Sequence, residues 1–427
     1  MPKSTTRSLE AVVAALNVIP PNKHRDEETE PDDNNAFTEN DLLPRIAVLL
    51  QNAVQLPDEQ NSEQDSPIAV IVDTEKVTIH YVTQSSDEGA KCEYLRDLWS
   101  AMQAIVKKAS VHLPDEDPVY VGLFLALCKY HFPRWMLDHL RSGWEDFQAM
   151  ANALMGDPLF SGEIKDKLAT LLSSMRGPFQ KPSPSLDAMS GIITSMATFY
   201  VSKGLKLPST SVLDHEFDMA HYLQTATKPL NPVFHLIEVA RNAASQKIFD
   251  LPLSVMPVNL PAAENSVYIP TSLTAWEETL TKLVANNNNK KRTIKLKQDF
   301  SELVGMKYSA PDGKVRCRVY SEVALLEWMR KTQRMSGGEC CVALSTQPSV
   351  PSMIYHSSLN FELDDEEGEY PPRLAWNPSA MVKGHPFLWS LPANSEDDFK
   401  DTMLRRLLDY LMEALENAEL LVPVADD

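Results

Sequence analysis

Between residues 93 and 248 the sequence repeats one physical pattern. Apolar residues stand three and four apart over stretches of helical length, and proline or glycine separates the stretches. That spacing puts the apolar side chains on one face, so this region must pack helix against helix. Residues 93–107 carry Leu95, Leu98, Trp99, Met102, Ile105 and Val106 as one continuous face. The first half of 119–141 is apolar nearly all round, which predicts a core helix. Pro133 must end or kink it, because proline lacks a donor and clashes with the preceding turn. Helices are also predicted around 145–154, 164–175, 186–201, 217–226 and 234–248. No period recurs across them, so the pattern is not that of a solenoid.

The flanks read differently. The opening MPKSTTRSLEAVVAALNVIPP contains a short amphipathic stretch, expected to be a surface helix ended by Pro20 and Pro21, with a transit peptide as the alternative. Residues 22–35 and 58–65 lack the apolar content that offsets ordering entropy and are expected to be mobile. A helix is predicted between them over 39–56. The β-branched runs 68–72 and 77–82, separated by Asp-Thr-Glu-Lys, predict a small hairpin. Four prolines break the helical pattern over 251–270, and a helix follows over 273–284. The tract 286–292 (four asparagines, then Lys-Lys-Arg) and the acidic run 364–369 are expected to be solvated loops. A closing amphipathic helix is predicted over 397–421, burying Phe399, Met403, Leu407, Leu408, Leu411 and Leu415.

Charge and composition limit the function classes. Forty Lys and Arg stand against 59 Asp and Glu, a net charge of −19. A field of that sign repels phosphate backbones, so nucleic acid is an unfavoured partner. No apolar run reaches the roughly 18 residues that a membrane-spanning helix needs. The amino terminus has no secretory apolar core or cleavage site. Five cysteines, odd in number and including the adjacent Cys340 and Cys341, suit a reducing compartment. The expected location is intracellular, cytoplasmic or nuclear.

Common catalytic signatures are missing: no glycine-rich phosphate loop, no Gly-x-Ser-x-Gly elbow, no His-Glu-x-x-His and no Cys-x-x-Cys. The segment from Arg318 is more informative. Residues 318–330 read as a helix beginning near Tyr320 and Ser321. Residues 340–344 read as a buried strand, and Ser345-Thr-Gln-Pro-Ser-Val-Pro-Ser352 leads into a second helix. Zinc nucleobase deaminases build their metal site from such a helix, strand and turn, with His-x-Glu opening one helix and Pro-Cys-x-x-Cys the next.

The last 160 or so residues resemble the deaminase-like domain found in many fungal proteins. In that family a Val-His-x-Glu helix ending in two leucines precedes a strand and a Ser-Lys-x-x-Cys-x-x-Cys turn. Val319-Tyr-Ser-Glu322 with Leu325 and Leu326 resembles the first element, and Ser345 to Ser352 the second. A later Gly-His pair followed by Trp-x-x-Pro is matched by Gly384-His385 and Trp389-Ser-Leu-Pro392. Trp276-Glu-Glu-Thr-Leu resembles a tryptophan-led helix upstream. Carried over, the zinc-binding histidine falls on Tyr320 and the two cysteines on Ser349 and Ser352. The proton-shuttling glutamate is kept as Glu322. A phenol and two aliphatic hydroxyls are poor zinc donors, and without the metal Glu322 has no activated water. Cys317, Cys340, Cys341, His356 and His385 could hold a relocated site, though neighbouring strand residues point to opposite faces.

The resulting expectation is an α+β chain. A mobile acidic leader (1–65, with a short helix) precedes a mainly helical domain (66–262) and a deaminase-like α/β domain (263–427), a mixed sheet flanked by helices. The function expected is that of a catalytically inactive deaminase-like protein binding a protein partner or a nucleotide. It would have no cofactor, a vestigial Glu322, and Tyr320, Ser349, Ser352, His385 and Trp389 around a pocket. Two alternatives stand beside it: an active zinc-dependent nucleotide or nucleic-acid deaminase with a rearranged metal site, and a helical scaffold.

Overall fold

The computed structural model describes residues 3–19, 42–55, 67–83, 88–108, 118–131, 137–158, 162–179, 185–201, 217–259, 264–288, 293–308, 312–332, 339–362, 372–376, 388–392 and 395–422. In chain order the elements are α1 (Lys3–Val18), α2 (Leu42–Val54), β1 (Ile68–Val72), β2 (Val77–Thr83), α3 (Glu88–Lys107), α4 (Pro118–His131), α5 (Leu137–Ser142), α6 (Trp144–Gly156), α7 (Gly162–Phe179) and α8 (Leu186–Val201). There follow α9 (Met219–Thr227), α10 (Leu230–Ala240), α11 (Ala243–Phe249), β3 (Leu253–Asn259), β4 (Glu264–Tyr268), α12 (Leu273–Asn288), α13 (Gln298–Lys307) and β5 (Lys314–Arg318). The chain closes with α14 (Ser321–Lys331), β6 (Glu339–Leu344), α15 (Val350–Glu362), β7 (Arg373–Trp376), β8 (Leu388–Trp389) and α16 (Asp397–Asn417). The fold is α+β, as the sequence predicts, and helix dominates it. Among the described residues no helix is long and apolar enough to cross a membrane.

Several local expectations meet their physical cause directly. α4 stops at His131, two residues before Pro133. The Asp73–Lys76 turn joins β1 to β2, and Asp73 Oδ1 accepts from the backbone N–H groups of Glu75 and Lys76, both at 2.7 Å. The predicted helix over 234–248 is two helices. Asn242 interrupts it, its side chain capping α11 by accepting from Ala244 N at 3.0 Å. The proline-rich stretch 251–270 contains β3 and β4, which the prolines conceal. Among the described residues β3, which carries Pro257, is an edge strand, a place where proline is tolerated.

Two compact units emerge, and they do not follow the expected boundaries 1–65, 66–262 and 263–427. The first comprises Met1–Pro44, Glu63–Ala69 and Val258–Asp427; the second comprises Arg45–Ser62 and Val70–Pro257. The expected surface helix is instead a core element of the first unit. Leu9, Val12, Val13 and Ala14 are buried on α1, which packs against α16, α13, β4 and β8. The run from Ala11 to Ala15 is apolar on every side, so no orientation of the helix could solvate it. The stretches 22–35, 58–65 and 364–369, and the cations of 290–292, lie outside the described residues.

In the first unit, β4, β5 and β8 form a sheet in that order, β4 antiparallel and β8 parallel to β5. Gly313 turns the chain into β5 with φ +67, and a Cβ there would lie 2.6 Å from the Ile269 carbonyl oxygen. β6 and β7 pair in parallel, Leu344 opposite Trp376. α16 buries the predicted face of Phe399, Met403, Leu407, Leu408, Leu411 and Leu415 and packs on α1 and α15. Trp276 and Phe300 meet edge to face at 5.7 Å, joining α12 to α13.

In the second unit, α3 packs on α4, α10 and α11, and α4 on α8. β2 lies between β1 and β3. The open carbonyls at the end of α2 are met by side chains from α4. Tyr130 Oη donates to Val54 O at 3.0 Å, and His131 Nε2 lies 2.9 Å from Ala53 O. Burial drives the His131 imidazole from its ordinary 6.5 down to about 4. Between those values the unfolded chain binds a proton that the folded one refuses. Stability is therefore full above pH 6.5 and falls as the pH drops toward 4. Urea unfolding at pH 7 and pH 5 is expected to show wild type losing about 2 kcal/mol more than His131→Gln. Equal losses would contradict the burial of this ring.

Candidate functional site

β5 delivers the chain to Tyr320, the N-cap of α14, whose carbonyl accepts the first helical bond from Ala324 N at 2.9 Å. Glu322 follows in the first turn, where the positive end of the helix favours an acid. After β6 the turn ends at Ser349, whose carbonyl accepts from Met353 N at 2.9 Å and so opens α15. Pro351 sits in the first turn of α15, where a missing N–H costs nothing. Ser352 follows it. The two helix starts thereby face each other, bringing together residues 30 apart in sequence.

Ser352 is at the centre. Its Oγ donates to Glu322 Oε1 at 2.7 Å, and accepts from Ser349 Oγ at 3.0 Å and from the Trp389 indole Nε1 at 3.2 Å. A hydroxyl has one donor and two acceptor sites, so Ser352 is saturated. It is fully buried and Glu322 is 4% exposed. Tyr320 is buried as well. Desolvation, then the nearby charge of Glu322 and the neighbouring Tyr308, push its phenol above the ordinary range. Four of the residues singled out from sequence, Glu322, Ser349, Ser352 and Trp389, are thus in one hydrogen-bonded cluster, with Tyr320 alongside. His385 lies outside the described residues.

Zinc does not fit this donor set. It requires imidazole nitrogen, thiolate or carboxylate, and three of the corresponding positions offer hydroxyls. The Ser352 hydroxyl already spends its proton on Glu322, and burial makes the Tyr320 phenolate still less accessible. Three described members of the relocated set are poor donors too. Burial raises Cys317 to about 11 and Cys340 to about 12. The His356 ring is bound to the Pro372 carbonyl. Among the described residues, no group of three or more His, Cys, Asp or Glu side chains converges to hold a metal ion.

A second buried carboxylate lies one and a half turns further along α14. Glu327 accepts from Tyr355 Oη at 2.8 Å, from Arg330 Nε and Nη2 at 3.1 Å each, and pairs with Lys331 Nζ at 3.1 Å. Burial pushes this acid upward, but the bonds from Arg330, Tyr355 and Lys331 outweigh it and hold the carboxyl below its usual range. Tyr355 in turn packs edge to face on Trp389 at 6.5 Å and on Phe399 at 5.2 Å. Two carboxylates on α14 therefore grip two hydroxyls on α15. The i, i+3 and i, i+4 spacing of Glu327 with Arg330 and Lys331 is the one local signal of this cluster in the sequence. Another buried acid, Glu10 of α1, gives no local signal at all. No family model, curated protein or solved structure matches this chain.

Proposed function

We propose that this protein is a catalytically inactive, deaminase-like protein that acts by binding a protein partner or a nucleotide. The observation that supports this most is the saturated hydroxyl of Ser352. A catalytic centre keeps an open coordination or substrate position beside its general base. Here the groups at those positions bond to one another, and Glu322 works as a buried anchor between α14 and α15. None of the five cysteines is in a disulfide, which supports a reducing, intracellular setting.

The test is a deaminase assay on cytidine, adenosine and their monophosphates, comparing wild type with Glu322→Gln. No turnover is expected from either protein. Glu322→Ala is expected to lower stability by about 1–3 kcal/mol, because Ser352 loses its buried acceptor, whereas Glu322→Gln retains one. Turnover abolished in Glu322→Gln would replace this reading with that of an active deaminase.

A further inference from the structure

Strand β5 carries a cation at every second position. Lys314, Arg316 and Arg318 therefore share one face of the β4-β5-β8 sheet, while Val315 and Cys317 are buried on the other. The register sets Tyr268 opposite Lys314, Ser266 opposite Arg316 and Glu264 opposite Arg318. Arg318, the innermost of the three cations, is itself buried. Lys314 and Arg316 are exposed beside neutral residues, and among the described residues neither side chain has an ion-pair partner. The Asp312 carboxylate accepts from the backbone N–H of Lys314 at the start of the strand. In a chain with 59 acids and 40 bases, a face that only needed solvation would draw acids more often than bases.

Among the described residues the edge beside this face has no strand paired to it, since β4 has a strand neighbour on one side only, β5. Ser266 is exposed, and Tyr268 is 70% exposed, an aromatic ring with little to pack on. Gly313 fixes the register by which these residues meet, since Ile269 N donates to its carbonyl at 2.9 Å.

We propose that the outer edge of β4 receives an extended acidic segment of a partner protein as an added strand. Its carboxylates would meet Lys314 and Arg316, and an apolar side chain would lie on Tyr268. This rests on the reading that the protein acts by binding, and it names the surface and the class of partner. An added strand lies about 4.8 Å from β4 and about 10 Å from β5. Arg316, opposite the small Ser266, and Lys314, opposite Tyr268, have side chains long enough to reach across β4 toward that strand. Backbone bonds along the edge supply the affinity of such a complex, and the charges select the partner. A nucleic-acid strand fits less well, because two cations release few counterions against a net charge of −19.

The test is fluorescence anisotropy on the full chain. The probes are a short labelled peptide alternating glutamate and valine, its lysine-for-glutamate counterpart, an N-methylated version of the acidic peptide, and a short oligo-dT strand. The acidic peptide is expected to bind at least about tenfold more tightly than the other three. It is expected to weaken by a similar factor in the Lys314→Glu, Arg316→Glu double variant, whose melting is unchanged because both positions are exposed. Tyr268→Ser is a second variant expected to weaken binding without unfolding. Equal affinity for both peptides, indifference to N-methylation or to charge reversal, or tighter binding of oligo-dT would overturn the proposal. Failure of the parent reading is seen separately, as deaminase turnover in the assay on Glu322.

Discussion

Leu344→Asp is expected to be the most damaging single change in the first unit. Leu344 closes β6, is 1% exposed, and stands opposite Trp376 in the parallel pairing with β7. An ionised carboxylate there would be cut off from solvent, a mechanism associated with losses of about 4–5 kcal/mol or more. Domains are stable by only about 5–15 kcal/mol, so loss of folding at room temperature is within range. Leu344→Ala keeps the comparison interpretable if the aspartate variant fails to fold. Its cavity is expected to cost about 2–5 kcal/mol, read as a lower urea midpoint. Unchanged melting of either variant would mean that the strand is not in the core.

Glu10→Gln is expected to stabilise the protein, and increasingly so as the pH rises. Glu10 lies midway along α1, is 2% exposed, and its Oε2 has no hydrogen-bond partner among the described residues. Burial pushes its carboxyl from an ordinary 4.5 up to about 7. The titratable neighbour that senses it is Cys317 on β5, whose thiol is raised by burial and then by Glu10. Below pH 4.5 both folded and unfolded chains hold the proton, and the residue imposes no penalty. Between pH 4.5 and 7 the unfolded chain releases a proton that the folded chain keeps, so stability falls. Above pH 7 the full penalty stands, roughly 3 kcal/mol. Glutamine does not titrate, so the variant's advantage is expected to open from near zero at pH 4 to roughly 3 kcal/mol at pH 8. This slope runs opposite to that of His131. An advantage independent of pH would contradict the burial of an uncompensated acid.

Helices were legible in the sequence and strands much less so, for a physical reason. A helix bonds within itself, so its apolar period and its stops at residues such as Pro133 are local. A strand bonds to a distant partner. β4 is a short, mostly polar segment with no alternation of its own, and β7 pairs with β6 across a gap of some thirty residues. The place of α1 was equally hidden. Its apolar run is visible, but that it covers β4 and β8 beside the carboxy-terminal α16 depends on contacts from the far end of the chain. The same division applies to the candidate site. Tyr320, Glu322, Ser349, Ser352 and Trp389 stand out because the segments that hold them resemble motifs of the deaminase-like family, and short motifs are local features. The grip of Tyr355 on Glu327 and the isolation of Glu10 arise only when separate elements close over them.

The cluster around Ser352 gives the protein its most direct test. If Glu322, Ser349, Ser352 and Trp389 satisfy one another as a structural knot, protein purified without chelator carries no stoichiometric zinc. Elemental analysis, with protein quantified on the same sample, is expected to return far less than one zinc per chain, and adding zinc is expected to leave melting unchanged. One tightly held zinc per chain, lost in Glu322→Gln or Ser352→Ala, would contradict the assignment of these residues to structure and make them a metal centre.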